Sequence, residues 1–299
     1  MERLPRRWLP KAMAVAVTAV VVFIMLFAWA GSEGLSGSYA QPALEVHPGA
    51  PWWKYDPSAE VATVWGVSGD VVAAELQEHD ITVIEIGPNS VLAALRPGEH
   101  EYLQELGLDV NTVENRTIVG RGDYRFDTLY GEPAIPKNLR IDPAQDPDYD
   151  KFLIQFVGPI TQKWKNGIES MGVVIFGYLP YNSYLVQMDP SLKDPLFELY
   201  YVQWVGTYQP AYKIMGDLLN STKLYNEVFI SMFPDSQPAD VERITNMIVN
   251  AGGRVNESWV DHSLGQILIA YVPHHTLIHL VQDPEISWIE DHGGRPVLF

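Results

Sequence analysis

Residues 149–214 read YDKFLIQFVGPITQKWKNGIESMGVVIFGYLPYNSYLVQMDPSLKDPLFELYYVQWVGTYQPAYKI. This stretch decides the fold. Residues 152–157 are a β-rich run stopped by Gly158-Pro159. Thr161 is placed to cap a helix on which Trp164, Ile168 and Met171 share one face, and Gly172 stands where the helix ends. Residues 173–179 and 183–188 are strands joined across Pro180-Tyr181-Asn182. Asp189-Pro190 opens a second short helix, and 202–208 is the last strand. The order is βαββαβ, which predicts a two-layer α+β unit with helices on one face of an antiparallel sheet.

The order recurs on both sides. Downstream, 226–233 is a strand and 238–251 a helix with Val241, Ile244 and Ile248 on one face. Strands 254–260 and 266–272 follow, then a short helix from His274 and a strand at 286–290. The closing strands align, VQWVG at 202–206 against ISWIE at 286–290, so Trp204 and Trp288 are expected to be equivalent and buried. Upstream, 61–67, 70–79, 81–87, 91–95, 99–106 and 110–118 repeat the order more faintly. The fold class expected is α+β, with tandem ferredoxin-like βαββαβ modules after an N-terminal hydrophobic segment. The modules are placed at 59–118, 149–214 and 225–292, with linkers at 31–58 and 119–148 and an extended tail at 293–299.

In FLIQFVGPIT, YLPYNSYLVQM and VQWVGTYQPAYK the chain resembles the propeptide domains of subtilisin-like serine peptidases. The resemblance is most specific over 150–213, looser over 226–299, and present only in outline over 59–117. It implies a region that binds, inhibits and assists folding of a subtilisin-like peptidase catalytic domain, in cis or in trans. It also implies that the C-terminal segment lies in the peptidase cleft, with Phe299 in the primary pocket and Leu298, Val297 and Pro296 in the preceding subsites. The family's catalytic motifs are absent: Asp127-Thr128 is followed by Leu129, and Asp291-His292-Gly293 by Gly294. No catalytic residue and no cofactor is therefore assigned. Two rivals are a surface-exposed interaction or adhesion scaffold and a small-molecule regulatory module of the same topology.

Composition narrows the classes. The hydrophobic content of 47% is that of globular protein. The formal charge is −17, and Glu2, Arg3, Arg6, Arg7 and Lys11 make the first thirty residues basic, so the remainder is more acidic still. That argues against a nucleic-acid partner. With no cysteine, disulfides, Cys-ligated zinc and thiol catalysis are excluded. Residues 12–30 carry no charge after a basic start, which directs export. Ala28-Trp29-Ala30 before Gly31-Ser32 favours a cleaved signal peptide, while the length of the run favours a retained membrane anchor.

Several smaller signals complete the reading. Trp52-Trp53 is expected to tuck onto the first module, with carbohydrate stacking as the alternative. His275 and His279, four apart, are the one candidate metal pair, lacking an adjoining carboxylate. Arg121-Gly122-Asp123 is a chance-level adhesion tripeptide. Asn115, Asn220 and Asn256 head N-x-Ser/Thr triplets. Most informatively, the strands are apolar on both faces: Leu153 and Val157 oppose Phe152, Ile154 and Phe156, and Leu268, Ala270 and Val272 oppose Ile267, Ile269 and Tyr271. A sheet with helices on one side has only one such face to fill. The second calls for cover, by a partner or by a neighbouring module.

Overall fold

The computed structural model describes residues 50–120, 124–142, 145–262 and 264–293. The expected export segment at 1–30, the linker residues up to 49, Arg121-Gly122-Asp123 and the tail residues Pro296, Val297, Leu298 and Phe299 lie outside the described residues. Among those described, no helix is long and apolar enough to cross a membrane.

A short helix α1 (Trp52–Tyr55) leads into β1 (Glu60–Trp65), α2 (Gly69–Glu78), β2 (Thr82–Ile86), β3 (Ser90–Leu95), α3 (Glu99–Glu105) and β4 (Asp109–Thr112). These strands form an antiparallel sheet of order β2-β3-β1-β4. The strand expected to run to Ile118 stops at Thr112, because Asn115 takes a left-handed backbone (φ 54°) and turns the chain. Ile118 instead opens a two-stranded ribbon, β5 (Ile118–Val119) with β6 (Phe126–Asp127).

The deciding stretch folds as β7 (Lys151–Phe156), α4 (Gln162–Ser170), β8 (Val174–Leu179), β9 (Ser183–Gln187), α5 (Lys193–Phe197) and β10 (Val202–Thr207), in the order β10-β7-β9-β8. The Thr161 hydroxyl accepts from the Trp164 amide at 3.2 Å, and Gly172 follows the helix at φ 96°. Trp164 and Ile168 are fully buried against Phe152, Ile154 and Phe156.

A four-residue helix α6 (Pro210–Lys213) precedes β11 (Tyr225–Met232), α7 (Pro238–Asn250), β12 (Arg254–Asp261), β13 (Gly265–Pro273), α8 (Leu277–Gln282) and β14 (Ile286–Asp291). The order is β12-β13-β11-β14, again antiparallel. Ile244 and Ile248 of α7 pack with Leu268, Ala270 and Val272 on the helix side.

The fold is therefore mixed α and β, with three four-stranded antiparallel sheets among the described residues, each ordered second, third, first, fourth strand. These residues fall in one compact unit. Within it the second apolar face of each of the first two sheets has a cover. Val61, Leu92 and Ala94 on the outer face of the first sheet pack with the helix-side residues of the second unit. Leu92 reaches the backbone of Gly158, where a Cβ would stand 2.9 Å from its methyl carbon. Glu85 fastens the same junction, accepting from Lys163 Nζ (2.7 Å), Trp164 Nε1 (3.0 Å) and the Tyr200 hydroxyl (2.5 Å). The outer face of the second sheet is covered from within the chain, by residues 118–120 and 124–139 and by the third unit. Every residue of β7 and β10 is consequently buried.

Candidate functional site

Three features are candidates for recognition: the outer face of the third sheet, a groove beside the first sheet, and the buried polar junctions between units.

Trp204 and Trp288 do occupy matching places, opposite Gln155 and Ser231 respectively, but on the outer faces of their sheets. Trp204 is buried; its ring lies over Gly206 and meets Phe126 edge-on at 5.5 Å. Trp288 is only half-buried. The difference comes from the cover, since the ribbon strands β5 and β6 cross the second sheet there. The stretch 119–148, expected to be linker, thus packs Val119, Phe126, Leu129 and Leu139 into buried positions. Gln155 ties it down, donating to the Ile118 carbonyl (2.7 Å) and lying 2.9 Å from the Thr128 hydroxyl.

The outer face of the third sheet is arranged in rows set by the register. Trp259, Ile267, Ser231 and Trp288 stand side by side across its four strands, and Glu257, Ile269, Phe229 and Glu290 form the next row. Ile267 and Ile269 are buried at the centre, while Phe229, Trp259 and Trp288 are half-buried around them. Beyond lies Tyr271, stacked on Tyr225 at 5.0 Å with the Arg254 guanidinium 4.5 Å from its ring.

A groove of about 540 Å³ opens where the outer face of the first sheet meets the β8–β9 hairpin. Thr63 and Asn111 are cross-strand neighbours on its floor, and Trp65 lies two residues along the same face, half exposed at 47%. The opposite wall is Tyr178, 49% exposed, with Tyr181 and Asn182 at the hairpin tip. Tyr181 and Asn182 both have left-handed backbones, φ 62° and 57°. That conformation is easy for Asn and disfavoured for a bulky ring.

The junctions hold buried cations. The Arg116 guanidinium donates to Gln203 Oε1 (3.1 Å) and to the carbonyls of Trp53 (3.3 Å) and Ala59 (3.2 Å), while Gln203 Nε2 donates to the Lys54 carbonyl (2.9 Å). Lys54 Nζ donates to the Phe197 carbonyl at 2.6 Å, at the end of α5. Lys213 Nζ donates to the Asp283 carbonyl at 2.9 Å, just past the end of α8. Each lysine thus comes from a four-residue helix and caps the second helix of a βαββαβ unit. Burial pushes the Lys54 amine down to about 8 and the Lys213 amine down to about 7. The tryptophan pair divides accordingly: Trp53 is buried among second-unit residues, and Trp52 bonds Thr82 and lies under Arg96.

His275 and His279 are both exposed, and among the described residues no group of three His, Cys, Asp or Glu is placed to hold a metal. The signals that sequence reasoning missed were Arg116, Lys54, Lys213 and the groove residue Trp65.

A family model described as a domain of unknown function (DUF8729) matches residues 122–209. The matched residues take in the crossing segment and the second sheet together, the two parts that the packing joins. No curated protein and no solved structure matches the chain.

Proposed function

We propose that the three βαββαβ units are ferredoxin-like modules of the subtilisin-propeptide type, in an exported chain that binds and holds a subtilisin-like serine peptidase, in cis or in trans. The observation that carries the reading is the strand order. Second, third, first, fourth, with a helix after the first and third strands, recurs in all three sheets. The N-terminal hydrophobic segment at 1–30 serves as signal peptide or membrane anchor in this reading.

Cover within the chain also limits where a peptidase would dock. The outer face of the second sheet and the apolar part of the first are occupied, and in this reading the third sheet supplies the contact. Its half-buried Phe229 beside Ile269 has the composition of an interface centre, and Glu257 and Glu290 in the same row that of a polar rim. The tail, with Pro296, Val297, Leu298 and Phe299, then enters the cleft as a product strand. The test is hydrolysis of a small peptide substrate by a subtilisin-like peptidase, with the full chain and with residues 293–299 deleted. Inhibition by the full chain that weakens on deletion is the expected result. Equal inhibition removes the tail from the mechanism, and no inhibition by either form refutes the proposal.

The rival reading, a surface-exposed interaction scaffold, is favoured by one observation, the open aromatic groove at Trp65.

A further inference from the structure

We propose that the groove between the first sheet and the β8–β9 hairpin binds a neutral saccharide, with Trp65 as its stacking platform. This goes beyond the peptidase reading and is independent of it, since the groove lies outside the third sheet.

The chemistry of the lining selects the ligand class. Trp65 on the floor and Tyr178 on the wall of the groove each leave about half their surface in water. Aromatic faces in that setting match the C–H faces of a pyranose ring. The polar groups between them are unspent. The Thr63 hydroxyl, the Glu114 carboxylate and the Asn182 side-chain amide make no hydrogen bond or ion pair with another described residue. Together they offer donors and acceptors interleaved, as a sugar's hydroxyls require, because each hydroxyl both donates and accepts. One carboxylate and no Lys or Arg line the groove, which disfavours phosphates and acidic sugars. The volume, about 540 Å³, lies within the range of small-ligand sites.

Two further observations point the same way. Tyr181 is held in a left-handed conformation at the hairpin tip, where Gly or Asn would sit without strain. Strain of this kind persists where surrounding structure and function demand it. The Arg125 guanidinium, 5.1 Å from the ring centre, helps hold the Tyr181 side chain. The floor residues Thr63 and Trp65 stand on the face of the inner strand β1, with Asn111 beside them on the edge strand β4. A peptide adding as a strand would pair with the backbone edge of β4, not with the Trp65 face. A proline-rich peptide would offer carbonyl oxygens but no proline N–H for Glu114 to accept.

The test uses the full chain in buffer, and any detergent, free of sugar. Cellotetraose, chitotetraose and mannotetraose are titrated separately by calorimetry, beside a proline-rich decapeptide. The proposal expects saturable binding of at least one tetrasaccharide. It expects Trp65→Ala and Asn182→Gly each to weaken that binding by about tenfold or more. Both positions are outside the core, and glycine keeps the left-handed backbone at 182, so unchanged urea unfolding should accompany the loss. Binding of none of the three sugars, binding unaffected by both variants, or binding of the proline-rich peptide alone overturns the proposal.

Discussion

Replacing Lys213 by Met should flatten the dependence of stability on pH. The Lys213 amine is fully buried, and burial holds it down to about 7; the carboxylates of Asp283 and Glu285 oppose that shift, and the Lys151 amine adds to it. In the unfolded chain the same group keeps its proton up to about pH 10.4. Between those values the unfolded state binds more protons, so stability rises with pH. Below the folded value both states are protonated and the full penalty of the buried charge is present. Each pH unit in the window is worth about 1.4 kcal/mol, and with Lys213 half-titrated near neutrality the gain from about pH 7 to 9 is about 2 kcal/mol. Lys54, held down to about 8 by the same cause, adds about 1 kcal/mol over that interval. Urea unfolding followed by tryptophan fluorescence at several pH values reads the slope. Lys213→Met should lose most of the rise, and the double variant with Lys54→Met should be nearly flat. A Lys213→Met protein whose stability climbs in parallel with the parent would refute both the burial of the amine and its role at the junction.

Other substitutions probe the covers. Trp204→Ala should destabilise by about 3–5 kcal/mol in denaturant unfolding, whereas half-buried Trp288→Ala should cost about half of that; equal losses would mean the two outer faces are covered alike. Arg116→Met leaves the Gln203 side chain and the carbonyls of Trp53, Asp56 and Ala59 short of a donor, and should cost about 3 kcal/mol with earlier separation of α1 from the second unit by hydrogen exchange. A loss within about 0.5 kcal/mol would mark it as a surface residue. Trp65→Ala should leave stability within that same margin, about 0.5 kcal/mol, by thermal unfolding, because its ring packs into no core.

What was legible in the sequence was local. Thr161, Trp164, Ile168 and Gly172 announce a capped amphipathic helix because cap, period and left-handed stop all lie within twelve residues. The apolar second faces were legible too, as a demand for cover. What met that demand was not. Lys54 bonds Phe197 across 143 positions, and Arg116 bonds Gln203 across 87. No periodicity reports such pairs, and a buried lysine or arginine looks in sequence like any solvated one. Pro133, Pro136, Pro143 and Pro147 break regular elements in 119–148, which reads as a linker, yet loop backbone can lie flat on a sheet while Phe126 and Leu139 enter its core. Trp65 failed in the opposite direction. It alternates correctly along β1, so its exposure depends on where the second unit's cover ends.

The central claim is peptidase binding, and complex formation tests it most directly. A subtilisin-like peptidase whose catalytic serine is replaced by alanine, so that it cannot digest its partner, is titrated with the full chain and examined by native mass spectrometry and calorimetry. The account predicts a one-to-one complex with a Kd of about 1 µM or tighter, weakened about tenfold or more by Phe229→Asp on the third sheet and unchanged by Trp65→Ala. Absence of any complex at about 10 µM of each protein, or a complex indifferent to Phe229→Asp, would contradict it.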